Sequence, residues 1–349
     1  MISDFGQPVL VTGSTGFLGS KVVESLLDHG SLNIRCLARR SSDLGRLDAV
    51  IRQRHARGVD VIRGNLLSRE DCERVTRDVA LVYHLAAGTG EKSFADAFVN
   101  SVVTTRNLLE ATLRHGQLKR FVSISSFAVY TNRDKPSRGR LDESCAIEEH
   151  PELRGEAYCF AKVKQDQIVV EYGRKHGIPY VLVRPGVVYG PGATGITRRV
   201  ASGAFGIFLH LGGSNVIPFT YVDNCADAIV LAGIKSGVDG EVLNVVDDDL
   251  PTSRQFLRLY KTHVRAFRSV PVPRFASYVL CSLWEKYSTW SEGQLPPAFN
   301  RPTWHAYLKG NRYTNAKAKR LLGWTPRVAT AEGLKRYFES SRKRGHDVA

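Results

Sequence analysis

Through the first 185 residues, short apolar runs alternate with longer stretches whose apolar positions recur at helical spacing. The runs at 8–12, 33–38, 59–63, 81–85, 120–125 and 180–184 are mostly apolar throughout rather than at alternate positions. Strands of that kind are covered on both faces. Between them, the segments 17–29, 44–55, 69–78, 94–115 and 156–176 predict helices, and Gly30, Gly116 and Gly177 stand where three of these should stop. Strand–helix–strand repetition predicts an α/β fold with a doubly wound parallel sheet and right-handed crossovers. After residue 184 the alternation fails. The stretch 190–213 holds seven glycines, 241–246 predicts one more strand, and 252–264 a helix capped by Thr252 or Ser253. Residues 265–310 are rich in aromatics and prolines.

Composition changes this picture little. Of 349 residues, 43% are hydrophobic and 24% charged, which excludes a disordered tail, a collagen-like repeat and a bundle of membrane-spanning helices. The longest mostly apolar run, 275–284, would rise only about 15 Å as a helix, half a bilayer core. The opening MISDFGQPVLVTG carries no secretory pattern, so the mature chain is expected to start at or near Met1. Six scattered cysteines (36, 72, 145, 159, 225, 281) have neither disulfide-framework nor metal-ligand spacing. They read as thiols of a reducing, cytoplasmic compartment, with no metal site.

Charge is the exception. The formal net charge is +15, and between Lys309 and Arg344 eleven Lys or Arg stand against two acids. Such a tail suits a solvated helix or an anionic membrane surface. No zinc-finger spacing or RNA-binding aromatic motif accompanies it, so no nucleic acid is expected. The sequence leaves room for peripheral membrane contact and for a homodimer.

The sequence TGSTGFLG at 12–19 follows the first strand and opens the first helix. Gly13 permits the tight turn, Gly16 lets backbone N–H groups approach a pyrophosphate, and Gly19 lets the helix pack on the strand. With Thr15, Phe17 and Leu18 they form the expected dinucleotide site of a Rossmann-type fold. At the end of the second strand an NAD enzyme would present Asp or Glu to the ribose, but here stand Arg39 and Arg40. A guanidinium grips a 2′-phosphate, so NADP(H) is expected over NAD(H), although NAD(H) remains open. Residues 1–189, with returning segments near 215–250, are expected to form this domain. Residues 190–214 and 250–349 are expected to cover the substrate and to carry the basic C-terminal helix.

Tyr158 and Lys162 lie four residues apart on one face of the predicted helix over 156–176. Hydride transfer to a ketone needs a proton for the forming alkoxide, and a neighbouring ammonium stabilises the phenolate left behind. Tyr313 and Lys317 repeat the spacing beyond the last sheet strand, and that copy is assigned to structure. A strand ending in VSISS at 122–126 brings hydroxyls to the carboxyl edge of the sheet, where ligands bind. Ser126 is expected to hydrogen-bond the substrate oxygen, with Ser125 as the fallback.

The chain resembles the extended short-chain dehydrogenases/reductases, the NAD-dependent epimerase/dehydratase superfamily, nearest its 3β-hydroxysteroid dehydrogenase-like branch. The motifs that carry the likeness run in family order: TGSTGFLG at 12–19, YHLAA at 83–87, SISSFAVY at 123–130, YCFAK at 158–162, VRPGVVYGPG at 183–192 and KAKRLLGWTP at 317–326. The resemblance implies Ser126, Tyr158 and Lys162 as the catalytic trio. It also implies that Leu85, Ala86 and Ala87 line the cofactor and that Pro185, Val187 and Val188 pass beside the nicotinamide. Asn65, followed by Leu66, stands where most members carry Asp in a Gly-Asp-Leu turn near the adenine.

The family divides between sugars and greasy alcohols. Ser126-Phe127-Ala128 stands where dehydratases carry Thr-Asp/Glu-Glu, so dehydration lacks its acid and base. The stretch 300–304 lacks the Arg and Gly-Asp that epimerases use on the sugar diphosphate. The segment 270–286, followed by LPPAFNRP at 295–302, is similar to the substrate-domain helix of the steroid-like branch. An NADP(H)-dependent oxidoreductase of a small hydrophobic hydroxy or keto substrate is therefore expected first. A nucleotide-sugar epimerase or reductase with tightly bound NAD(P) is the alternative, and a non-catalytic cofactor sensor comes last.

Overall fold

Residues 7–88, 93–193, 195–204, 207–291, 294 and 300–346 are described by a computed structural model; residues 295–299 of the LPPAFNRP stretch lie outside them. The first half of the chain runs β1 (Val9–Thr12), α1 (Phe17–Asp28), β2 (Ile34–Ala38), α2 (Gly45–Gln53), β3 (Val59–Arg63), α3 (Arg69–Thr76) and β4 (Leu81–His84). It continues through α4 (Phe94–Ala97), α5 (Thr104–His115), β5 (Arg120–Ile124), β6 (Gly139–Leu141), α6 (Ala157–His176), β7 (Tyr180–Pro185) and β8 (Val187–Tyr189). Then come β9 (Ala201–Ala204), β10 (Ile207–His210), β11 (Phe219–Tyr221), α7 (Val222–Ile234), β12 (Val242–Val245), α8 (Ser253–His263) and β13 (Ser269–Pro271). The chain closes with α9 (Arg274–Trp290), α10 (Arg301–Tyr307), β14 (Asn311–Tyr313), α11 (Ala316–Leu322) and α12 (Thr330–His346).

Seven strands form one sheet in the order β12-β7-β5-β4-β1-β2-β3, and every pairing in it is parallel. This is the Rossmann-type doubly wound sheet that the alternating pattern predicts. The apolar strands supply both faces. Val9 and Val11 join α1, α2 and α7 in one core, whereas Leu10 between them joins α3 and α5 in the other. Val181 and Val183 divide from Leu182 in the same way. From the last third of the chain, α11 returns to the first core through Ala318, Leu322 and Trp324. The strand order reverses between β1 and β4, and that switch point opens a crevice at their carboxyl ends.

A separate cluster lies over the sheet's end, built from Tyr189, Phe219, Phe256, Tyr260, Tyr337 and their neighbours. Thr252 caps α8 with a reciprocal Gln255 contact, as its position before an apolar run suggests. One expected helix is interrupted. Within 94–115, the six residues from Phe98 to Val103 form a π-helical turn between α4 and α5. Thr104 and Thr105 turn their hydroxyls back onto the carbonyls of Asn100 and Ser101, which competes with regular winding. Ser101 Oγ then accepts from the Gly88 N–H at 2.9 Å, tying the turn to the loop after β4. All six cysteines are free and buried.

Candidate active site

The glycine turn joins β1 to α1 at the switch point. Gly13 has φ +71°, and a Cβ there would stand 2.9 Å from the Ala86 nitrogen. A Cβ on Gly19 would stand 2.0 Å from the Gly13 carbonyl oxygen. Only glycine allows this three-way approach of turn, helix and β4 loop. Gly16 caps α1 without any side-chain hydrogen bond, so the first N–H groups of the helix are left for an anion. The turn thus fits a pyrophosphate. Thr15, Phe17 and Leu18 are half-buried on its rim.

Arg39 and Arg40 follow the end of β2 and are exposed. A third arginine, which has no motif to announce it, shapes their turn: Arg63 at the end of β3 donates to the carbonyls of Arg39 (2.6 Å) and Ser42 (3.2 Å). Asn65 folds an Asx turn, its amide oxygen accepting from Leu67 N at 3.0 Å. Leu66 turns its side chain into the core, leaving only backbone for a ligand. Leu85, Ala86 and Ala87 are half-buried across from the glycine turn, as are Val187 and Val188, whereas Pro185 is buried.

Tyr158 sits in the first turn of α6, one turn before Lys162. Together with Ser126 it lines a cavity of about 280 Å³, and the Ser126 hydroxyl is close enough to lower the phenol's pKa by hydrogen bonding. Burial outweighs this and raises that pKa, so the phenol stays protonated. The neighbouring serines are otherwise engaged. Ser125 Oγ donates to Asp166 at 2.8 Å, where Arg184 also binds at 3.0 Å, and Ser123 is fully buried. The fallback role for Ser125 therefore has no geometric support.

Lys162 is nearly inaccessible. Its Nζ donates to the Ile124 carbonyl (2.6 Å) and to Gln165 Oε1 (2.8 Å), and burial, partly opposed by Asp166, lowers its pKa to about 8. From Gln165 a chain of hydrogen bonds crosses the sheet's edge. Gln165 Nε2 donates to Thr105 Oγ1, which gives its own proton to the Ser101 carbonyl. Thr105 must then accept from His84 Nε2 (2.8 Å), which leaves His84 Nδ1 to accept from Thr12 Oγ1 (2.8 Å). Thr12 in turn accepts from Ala86 N at 3.3 Å. Burial, with Lys162 nearby, pushes the His84 pKa down to about 3, so the ring is neutral and its tautomer fixed. This chain couples the buried lysine to the β4 loop. Sequence reading misses it because its members are unremarkable singly and meet only in the fold.

The cavity's far wall was equally hidden. It is made by Glu156, by Thr197, Arg198 and Arg199 from the glycine-rich stretch, and by Tyr307 at the end of α10. Tyr307 lies between the guanidinium groups of Arg154 (5.0 Å) and Arg199 (4.6 Å) and donates to Glu156 Oε2 at 2.9 Å. Only Glu156, beside Tyr158, stood near a motif.

Known proteins resemble this chain over most of its length. It is 26% identical to a trifunctional UDP-glucose 4,6-dehydratase/UDP-4-keto-6-deoxy-D-glucose 3,5-epimerase/UDP-4-keto-L-rhamnose-reductase of Arabidopsis thaliana, covering 97% of this chain and 47% of that one. It spans 36% to 47% of the length of the three such plant enzymes it matches. It is 28% identical to the decarboxylating sterol-4-alpha-carboxylate 3-dehydrogenase of Saccharomyces cerevisiae, covering 93% of this chain and 95% of that one. The fold matches UDP-glucuronic acid 4-epimerase from Bacillus cereus, solved with UDP-glucuronic acid and NAD, with a TM-score of 0.71 at 21% identity over 97% of this chain and 99% of that one. The model of the NAD dependent epimerase/dehydratase family matches residues 9–245, and with the glycine turn, the switch-point crevice and the whole central sheet inside that span, the chain belongs to this family.

Proposed function

We propose that the protein is an NADP(H)-dependent oxidoreductase that interconverts a secondary alcohol and a ketone on a hydrophobic small molecule. The observation that carries this reading is the convergence of the Ser126 and Tyr158 hydroxyls on one cavity, with Lys162 one helical turn away. A bound nicotinamide supplies or takes up the hydride. In the reducing direction Tyr158 gives its phenolic proton to the forming alkoxide, and Ser126 holds that oxygen by a second hydrogen bond. The charge of Lys162 stabilises the phenolate until a proton returns. Phe127, Ala128 and Val187 give the cavity apolar walls. The test is Tyr158→Phe, which should remove turnover and leave NADPH binding intact; loss of binding instead would make Tyr158 a structural residue.

Preference for NADP(H) rests on Arg39 and Arg40, both exposed where no carboxylate occupies the end of β2. One charge-assisted contact to the 2′-phosphate is worth about 1.5–3 kcal/mol, or roughly ten- to hundredfold in affinity. Arg39→Asp should shift the NADPH/NADH affinity ratio toward NADH by that factor. An unchanged ratio in a thermal-shift titration would sink the assignment.

The second reading, a nucleotide-sugar epimerase, draws support from the charged side of the cavity at Glu156 and Arg198. A tightly held NAD(H) in the purified protein and saturable UDP binding would favour it.

The reading extends to peripheral contact with an anionic membrane through α9. That helix is turned inside out: Ser277, Cys281 and Ser288 are buried, while Phe275 and Trp290 are 79% and 76% exposed and Leu280, Leu283 and Tyr287 lie between them. Arg274 and Lys286 on the same helix are exposed, as are Arg265 and Arg268 in the segment before it, and Glu285, the acid of that helix, is bound to Arg301. Aromatic and aliphatic side chains rimmed by basic ones suit a lipid headgroup boundary. No helix among the described residues is long and apolar enough to cross a membrane. Flotation with phosphatidylserine vesicles should carry the protein upward, and Phe275→Asp with Trp290→Asp should abolish this. Equal flotation of the double variant would rule α9 out.

A further inference from the structure

Buried charges in a folded chain are usually paired, because taking a lone ion out of water is costly. Around the cavity, this rule is obeyed once and broken once. Arg154 is fully buried and its Nη2 meets Glu156 Oε2 at 2.9 Å. Arg199, only 8% exposed, has no carboxylate within ion-pairing distance among the described residues. Its Nη1 reaches the neutral oxygens of Ala306 (3.2 Å) and Tyr313 (3.3 Å), and its guanidinium lies over the Tyr307 ring. The rest of its donor fork has no acceptor among the described residues, and the residue lines the same 280 Å³ cavity as Ser126 and Tyr158. Beside it, Arg198 is mostly exposed and reaches Glu156 only at 3.7 Å, while Glu156 is already held by Arg154 and Tyr307.

We infer that Arg199 is a specificity-determining residue that receives a carboxylate of the substrate, so that the molecule oxidised or reduced here is a hydroxy or keto acid. The inference rests on the oxidoreductase reading above and adds the substrate's charge to it. A guanidinium in the cavity wall whose remaining N–H groups have no acceptor among the described residues matches a carboxylate in a two-point contact. Arg199 shares this cavity with the Ser126 and Tyr158 hydroxyls, and Phe127 and Val187 give it apolar walls for the remainder of the molecule. A single acidic group meets the one arginine of the cavity lining that is buried with no carboxylate partner among the described residues. A nucleotide diphosphate would bring two or more charges to it.

The test uses the full chain with saturating NADP⁺ and two probes that differ in charge and one methyl group, 3-hydroxydecanoate and its methyl ester, with UDP-glucose as a third. Binding is followed by calorimetry and turnover by NADPH absorbance. Wild-type protein should bind the acid at least about tenfold more tightly than the ester. Arg199→Met should erase that difference, and Arg199→Lys, which keeps the charge and guards against a folding defect, should retain part of it. Tyr158→Phe should keep the acid preference in binding while losing turnover, which separates the two claims. Turnover that depends on Tyr158 with equal KM for acid and ester leaves the redox reading standing and overturns the carboxylate site. Arg199-dependent binding of the acid without NADPH formation does the reverse. Binding of UDP-glucose alone, or of none of the three, overturns the assignment of Arg199 to a carboxylate.

Discussion

Two segments of this chain carry a tyrosine four residues before a lysine, and the fold treats them in opposite ways. Tyr158 and Lys162 both lie on α6, so the spacing becomes one helical turn and the two side chains share a face beside the cavity. Tyr313 ends β14, whereas Lys317 belongs to α11, so the same spacing crosses a boundary between elements. Tyr313 stacks on Phe127 at 5.6 Å and accepts from Arg199, while Lys317, half-buried, pairs with Glu241 at 2.6 Å. A spacing of four brings two groups together only when one helix holds both. The second copy is nonetheless nearer the cavity than its place in the chain suggests, since β14 pairs with β6 and so lays Tyr313 against the cavity's Phe127 wall.

The sharpest way to break the comparison is to remove each hydroxyl in turn. Tyr158→Phe should lower kcat by about 10²–10⁴-fold, the usual loss when a positioned proton donor is deleted, with NADPH affinity unchanged. Tyr313→Phe takes one acceptor from Arg199, which keeps the Ala306 carbonyl, and should cost less than about tenfold. Similar losses in both, measured on the same substrate, would mean that the shared spacing matters more than the shared helix.

Much of this was legible before any coordinates, and the reason is local. The β1–α1 turn, the strand ends and the one-turn spacing of Tyr158 and Lys162 are fixed by neighbours in sequence: three glycines with an obligatory close approach, an apolar strand, one helix. What escaped is made of long-range partners. Arg63 reaches the Arg39 turn from 24 residues away and Gln165 reaches Thr105 from 60. Tyr307 meets Glu156 from 151 residues away. The π-helical turn escaped for another reason: the apolar period of 94–115 runs through it unbroken, and only the hydroxyls of Thr104 and Thr105 mark the fault. The orientation of α9 is likewise set at long range, where Cys281 packs with Trp304 and Leu308 and the apolar stripe is left outside.

The two lysines differ by less than the two tyrosines, and pH separates them. Lys162 ordinarily would titrate at 10.5, but burial lowers this to about 8 in the folded protein. Below pH 8 folded and unfolded chains are both protonated there, and the full cost of the buried charge applies. Between pH 8 and 10.5 the unfolded chain holds the proton that the folded chain has lost, so this group's contribution to stability rises with pH. A shift of this size corresponds to at most about 3 kcal/mol. Lys162→Met keeps the buried stem and removes the titration. The stability of wild type relative to that variant, from urea unfolding without added cofactor, should therefore climb between pH 7.5 and 10. A flat difference would show that the ammonium is not penalised by burial. For Lys317→Met the loss should stay near or below about 1 kcal/mol at one pH and shrink as salt is raised, because its half-buried pair with Glu241 is still open to solvent screening.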